Sequence, residues 1–175
     1  MDVAAIFRSL VSSGFRDLAG AHVSARIPIS QSLVNAMVAD ALRGATTMRI
    51  HRVDVQPRAG DRFDVTVETT WPLFPRITAV VAVEQQPRFP ESPILVLRWS
   101  LPGPLGSLIA RSVTTVSQLA PGVRVDGEHL LVDIEAVARR FEQATAILPF
   151  VTFLELHTVE GAVVIEVVMA VPNAA

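Results

Sequence analysis

The chain has 175 residues, half of them apolar and 18% charged, with a formal net charge of -2 and no cysteine. A chain of this length buries ~70% of its unfolded surface, enough for one domain with its own core. The absent cysteines exclude disulfides, thiolate nucleophiles, cysteine-held zinc and a lipid-modified cysteine from the sequence as it stands.

All fifteen basic residues are Arg, spread among seventeen acids, so no basic track for nucleic acid is expected. Mean hydropathy is high at +0.43. No uncharged apolar run of about 18 residues accompanies it, so no helical membrane span is expected either.

In chain order, residues 2–18 place Val3, Ile6, Phe7, Leu10, Val11 and Leu18 on one side and Arg8, Ser12 and Arg16 on the other. That is the period of an amphipathic helix, ended by Gly20. Residues 1–20 lack the basic start and continuous apolar run of a secretory signal. A cytoplasmic location is therefore expected, unless a leader has been removed.

The stretch RIPISQSLVNAMVADALRG, residues 26–44, predicts a second helix. Pro28 keeps the approach extended, Ser30 can cap the N-terminus, and Gly44 supplies the left-handed closing residue. Leu33, Val34, Met37, Val38 and Leu42 cover a wider arc than one packed face needs.

Two strands follow, residues 47–56 and 63–69, around a tight turn at Ala59-Gly60-Asp61. The alternation slips near His51-Arg52, which predicts a bulge. After a loop with Trp71, Leu73 and Phe74 among Pro72 and Pro75, ITAVVAVE and ILVLRWS read as strands. Both are apolar on each face and are expected to be covered on both sides.

Pro102-Gly103-Pro104 precedes a third helix over residues 105–120. Leu105, Leu108, Ile109, Val113, Val116, Leu119 and Ala120 fill one half, while the other holds Ser107, Thr114, Thr115, Ser117 and Gln118 with Arg111 as its single charge. A solvated face normally carries more charge. VRVDGEHLLVDI predicts a hairpin turning at Asp126-Gly127. A fourth helix follows, with Ile134, Val137, Ala138, Phe141 and Leu148 as its stripe, and then a closing hairpin that turns at Glu160-Gly161.

The order of elements predicts an α+β fold, a single domain over residues 1–175, in which a curved antiparallel β-sheet is wrapped around or packed on amphipathic helices.

No catalytic constellation emerges. His22, His51, His129 and His157 fall one per segment, without the spacing of metal ligands. No serine sits in a nucleophile elbow, and Ser30 and Ser107 are explained by helix starts. Gly103-Pro104-Leu105-Gly106 lacks the amide donors and the Lys of a phosphate loop. Asp61 with Asp64, Asp126 with Glu128, and Glu155 with Glu160 lie at turns or on polar strand faces. The sequence therefore predicts no metal, no cofactor and no enzyme. His51 or His129 as a general base is the weakest alternative.

What stands out is surplus apolar surface, including the Trp71 loop and the Leu148-Pro149-Phe150 corner.

Taken in order, the PISQSLVNAMVADAL helix start with Leu33 and Asn35 just inside it, the long antiparallel hairpins, a second amphipathic helix and the VDGEHLLVDI hairpin resemble the tubular lipid-binding (TULIP/SMP-like) superfamily, particularly its small bacterial members. The resemblance covers residues 27–175 and leaves 1–20 as a separate N-terminal amphipathic helix. It implies a strongly curved antiparallel sheet around a long helix, with an acyl chain or other apolar molecule in the groove between them. Non-catalytic lipid binding or transfer is the expected role. Small bacterial members commonly carry an export signal or lipoprotein cysteine, and neither is seen in this sequence.

The expected groove lining is Leu33, Met37, Leu108, Ile109, Val113 and Val116, with Trp71 and Trp99 as lip and wall. The expected partner is a lipid or other hydrophobic small molecule, with peripheral membrane contact left open. The alternative is an interaction module, in which the surplus apolar area is buried in a homodimer or against another protein.

Overall fold

Alternation of apolar and polar side chains marks His22–Ser30, Ile50–Arg58 and Arg62–Thr69 as strands, because successive residues point to opposite faces of a sheet, whereas later strands such as Arg76–Gln85 and Ala162–Ala170 carry longer apolar runs. The computed structural model describes residues 18–43, 50–70, 72, 76–101 and 122–173. In chain order they form β1 (His22–Ser30), α1 (Gln31–Arg43), β2 (Ile50–Arg58), β3 (Arg62–Thr69), β4 (Arg76–Gln85), β5 (Ile94–Ser100), β6 (Val123–Asp126), β7 (His129–Asp133), α2 (Ile134–Ala138), α3 (Glu142–Ile147), a 3₁₀ turn Leu148–Phe150, β8 (Val151–Val159) and β9 (Ala162–Ala170).

Antiparallel β-structure dominates. The strands pair as a three-stranded sheet, β1-β9-β8, and a six-stranded sheet, β2-β3-β4-β5-β7-β6.

The predicted second helix starts where expected. The Leu33 N–H reaches Ser30 Oγ at 3.4 Å, and α1 begins at the next residue. The β2–β3 hairpin turns through Gly60 and Asp61, both at positive φ, and its register slips between Ile50 and Arg52, at the predicted bulge. The closing hairpin turns through Gly161, also at positive φ.

Three expectations need correction. HVSARIPIS, read only as an approach to the helix, is strand β1, paired along its whole length with β9; its Val23, Ala25, Ile27, Ile29 alternation carried the signal. The fourth helix is two short helices. Asp133 caps the first by accepting from the Ala136 N–H at 2.9 Å, but Phe141 adopts extended backbone, restarts the chain and is left 49% exposed instead of filling a stripe. Finally, β4 and β5 are not apolar on both faces: Arg76, Thr78, Arg98 and Ser100 are exposed on one of them. Residues 2–17 of the predicted first helix and the whole of the predicted helix over 105–120 lie outside the described residues.

Register divides each sheet into unlike faces. On one face of the six-stranded sheet lie, from strand to strand, Val53, Val55 and Pro57; Phe63, Val65 and Val67; Ile77, Ala79, Val81 and Val83; Leu95, Leu97 and Trp99; Leu130 and Val132; and Val123 and Val125. Every one is apolar. The opposite face carries Asp54, Gln56, Arg58, Asp64, Thr66, Glu68, Arg98, Arg124 and His129 among Val80, Ala82, Ile94, Val96 and Leu131.

The sheets meet along the outer edge of β8. Gln86 follows β4, and its side-chain amide donates to the Leu156 carbonyl at 2.7 Å and accepts from the Leu156 N–H at 3.0 Å, standing in for a neighbouring strand. Two residues on, Asp61 Oδ1 accepts from the Thr158 N–H at 2.9 Å, and Thr158 Oγ1 accepts from the Arg62 N–H at 2.8 Å. Thr158 is 4% exposed, so its ends of these bonds are shielded from water, while Asp61 remains half-buried. The Gly161 N–H donates to the Pro57 carbonyl at 3.0 Å, and the Gly161 carbonyl accepts from the Gln31 N–H at 2.9 Å, fixing the start of α1 to the same junction.

Candidate functional site

The continuous apolar face of the six-stranded sheet is the feature that calls for a function. Of its side chains, Pro57, Phe63 and Leu95 are buried; the others, Val81 and Trp99 among them, are half-buried. Val81 lies between Phe63 and Trp99, its cross-strand partners on either side, so the three form one apolar row. Trp99, expected as a wall of a groove, lies on this face of the sheet.

α1 lies against the β2 edge of the sheet. Its Asn35 side chain donates to the Val55 carbonyl at 3.0 Å and accepts from the Val55 N–H at 2.7 Å, occupying the outward-facing pair of an edge strand. Val34, Asn35 and Val38 are half-buried, whereas Leu33 and Met37, one turn apart, are 51% and 49% exposed. These two predicted groove residues are thus half open to water. Trp71, Leu108, Ile109, Val113 and Val116 lie outside the described residues.

Among the clefts lined by described residues are two with mixed linings. One, of about 370 Å³, is bounded by Asn35, Ala39, Ile50, His51, Arg52, Val53 and Asp54. The other, of about 490 Å³, runs beside the outer edge of β8 and is framed by Phe89 and Phe153, with Glu84, Gln85, Gln86, Arg88, Thr152 and Glu155 as its polar members. Neither contains a predicted groove residue.

The histidines stand apart. His129 Nε2 lies 3.1 Å from Glu84 Oε2 on the polar face of the six-stranded sheet. His157 sits between Glu155, 3.1 Å from its Nε2, and Asp61, 3.4 Å from its Nδ1. Burial pulls its pKa down, but the hydrogen bonds to Glu155 and Asp61 outweigh that and hold it above 6.5. Among the described residues, no group of three or more His, Asp or Glu could hold a metal ion. No described helix is long and apolar enough to cross a membrane.

Sequence reasoning named Trp99 and the arc of α1 but did not name the six-strand apolar face as a whole. The β2 and β3 segments displayed their alternation, whereas those of β4 and β5 read as apolar on each face. The register that aligns those alternations is set by pairing between segments, which no single segment reveals. The Asn35 and Gln86 brackets were equally hidden, because an amide that caps a distant strand looks like any surface amide.

No family model, curated protein or solved structure matches the chain.

Proposed function

We propose that the protein binds a lipid or another hydrophobic ligand without catalysing a reaction, using the apolar face of the six-stranded sheet as one wall of the site. The observation that carries this reading is the register: six strands contribute only apolar side chains to one face, and most of those side chains are half-buried. Apolar area removed from water contributes roughly 25 cal/mol per Å², so such a wall holds a fatty tail without any fixed polar residue.

The finer picture also belongs to this proposal: a curved sheet around amphipathic helices, as the tubular lipid-binding resemblance implies. Residues 105–120, with Leu108, Ile109, Val113 and Val116, are the sequence's candidates for the opposite wall, and Trp71 for the lip.

A second reading, a homodimeric or partner-binding module, is favoured by the exposed pair Leu33 and Met37 on α1. Native mass spectrometry of the purified protein, followed by organic extraction and lipid analysis of the same sample, separates the two. A stoichiometric co-purified lipid is the expected result. A ligand-free dimer that takes up no added fatty acid contradicts the proposal and favours the module.

A further inference from the structure

The seam on the outer edge of β8 contains an arrangement that the ligand reading does not use. Asp61, in the β2–β3 turn of the six-stranded sheet, divides its carboxylate: Oδ1 accepts from the Thr158 N–H at 2.9 Å, and Oδ2 lies 3.4 Å from His157 Nδ1. The other ring nitrogen of His157 lies 3.1 Å from Glu155 Oε2 on the same strand. One imidazole therefore stands between two carboxylates, one from each sheet. A neutral imidazole has a single N–H and a single lone pair, so it can donate to only one of them; an imidazolium has two N–H groups and donates to both.

We propose that His157 is a proton-operated latch between the two sheets. As the cation it ties Asp61 to Glu155, and on losing a proton it gives up the longer contact, the one that crosses from sheet to sheet.

The neighbouring charges are already paired. Arg58 holds Asp64 at 2.8 Å and Glu160 at 2.6 Å. Glu166, opposite Glu155 in register, is 3.3 Å from Arg26. Arg62 enters the seam through its backbone N–H. His157 is the group at this seam whose charge changes near neutral pH.

The direction follows from linkage. His157 is held above its ordinary 6.5 in the folded protein. Its contribution is fully present below the unfolded value and is lost as pH rises through the raised folded value. The seam is tightest in mild acid and loosens toward alkaline pH, while the Gln86 bracket and the Thr158 hydroxyl keep the sheets joined. The latch is independent of what the apolar face binds.

Amide hydrogen exchange at Thr158 and Arg62, corrected for intrinsic pH dependence and followed from about pH 5.5 to 8, tests it alongside an NMR titration of the His157 ring. Several-fold greater protection at the acid end is expected in the unmodified chain, and flat protection in His157→Gln. pH-independent protection in the unmodified chain, or unchanged pH dependence in His157→Gln, overturns the latch. If His157→Gln fails to fold, Asp61→Asn serves: it keeps an oxygen for the Thr158 N–H but removes the charge. The His157 titration is then expected to move down toward its ordinary value, and an unmoved titration overturns the proposal.

Discussion

Strands β9 and β4 sit in comparable places, each inside its own sheet; β9 is apolar but for Glu166, and β4 carries the apolar run Ala79–Val83 between more polar ends. They are buried very differently. β9 has Val163 at 5%, Val164 at 6% and Val167 at 9% exposure, on both of its faces. β4 has no buried residue, and its Ile77, Val81 and Val83 are all half-buried. The three-stranded sheet and its seam therefore supply the dense part of the described core, whereas the larger sheet keeps an apolar face only partly closed. Apolar runs are closed over in the smaller sheet and left partly open in the larger one. Burial separates these runs more sharply than their composition does.

Substitutions that exploit this difference are ordered here by expected effect. A charge in the dense region is the most damaging: Val167→Asp abolishes folding, because an isolated ionised carboxylate cannot be buried unpaired, whereas Val81→Asp on the open face leaves a folded protein. Circular dichroism of the two variants checks this. If both unfold, the larger face is as closed as the smaller one.

Next in size are the truncations. Val167→Ala is expected to cost about 2 kcal/mol, lost transfer energy plus a cavity, and Val81→Ala less than about 1 kcal/mol. Urea unfolding of the pair measures the ratio, and equal losses would erase the distinction drawn between β9 and β4.

The two amide brackets sharpen the comparison further. Gln86→Leu removes both hydrogen bonds to Leu156 and is expected to destabilise by about 2 kcal/mol while loosening the seam between the sheets. Asn35→Leu strips the same pair of bonds from Val55 and frees only the β2 edge. Hydrogen exchange should therefore rise at Leu156 and Thr158 for Gln86→Leu, but near Val55 for Asn35→Leu. Exchange that rises everywhere in both would mean that the sheets do not open separately.

The smallest effect is expected on α1. Leu33→Ser and Met37→Ser should each change stability by no more than about 0.5 kcal/mol, because both side chains are half exposed already. A loss of dimer in solution with unchanged stability would place these residues at an interface.

How far the sequence could be read follows the same physics. Local signals were legible: the Ser30 cap, the turns at Gly60, Gly127 and Gly161, and the bulge at Arg52, because each depends on a few adjacent residues. β1 was legible in its alternation but was overshadowed by the helix it feeds. Pro28, which seemed only to delay that helix, lies in an edge strand, the place in a sheet where a missing N–H is tolerated. The long-range features were not legible. Asn35 on Val55, Gln86 on Leu156 and Asp61 on Thr158 join residues between 20 and 97 positions apart, and nothing near either member of such a pair marks its partner. The split between Leu33 and Met37, half open, and Val34 and Val38, turned inward, likewise depends on where β2 lies and not on the helix's own pattern.

Trp99 allows the most direct test of the hydrophobic-ligand proposal. The chain has two Trp, so replacing Trp71 with Phe leaves Trp99 as the single indole, standing on the apolar face beside Val81. Titration of that variant with a brominated fatty acid, a contact quencher, is expected to give saturable quenching of Trp99 with one ligand bound per chain. A folded variant whose Trp99 emission the brominated acid leaves unchanged would contradict the apolar face as the ligand wall.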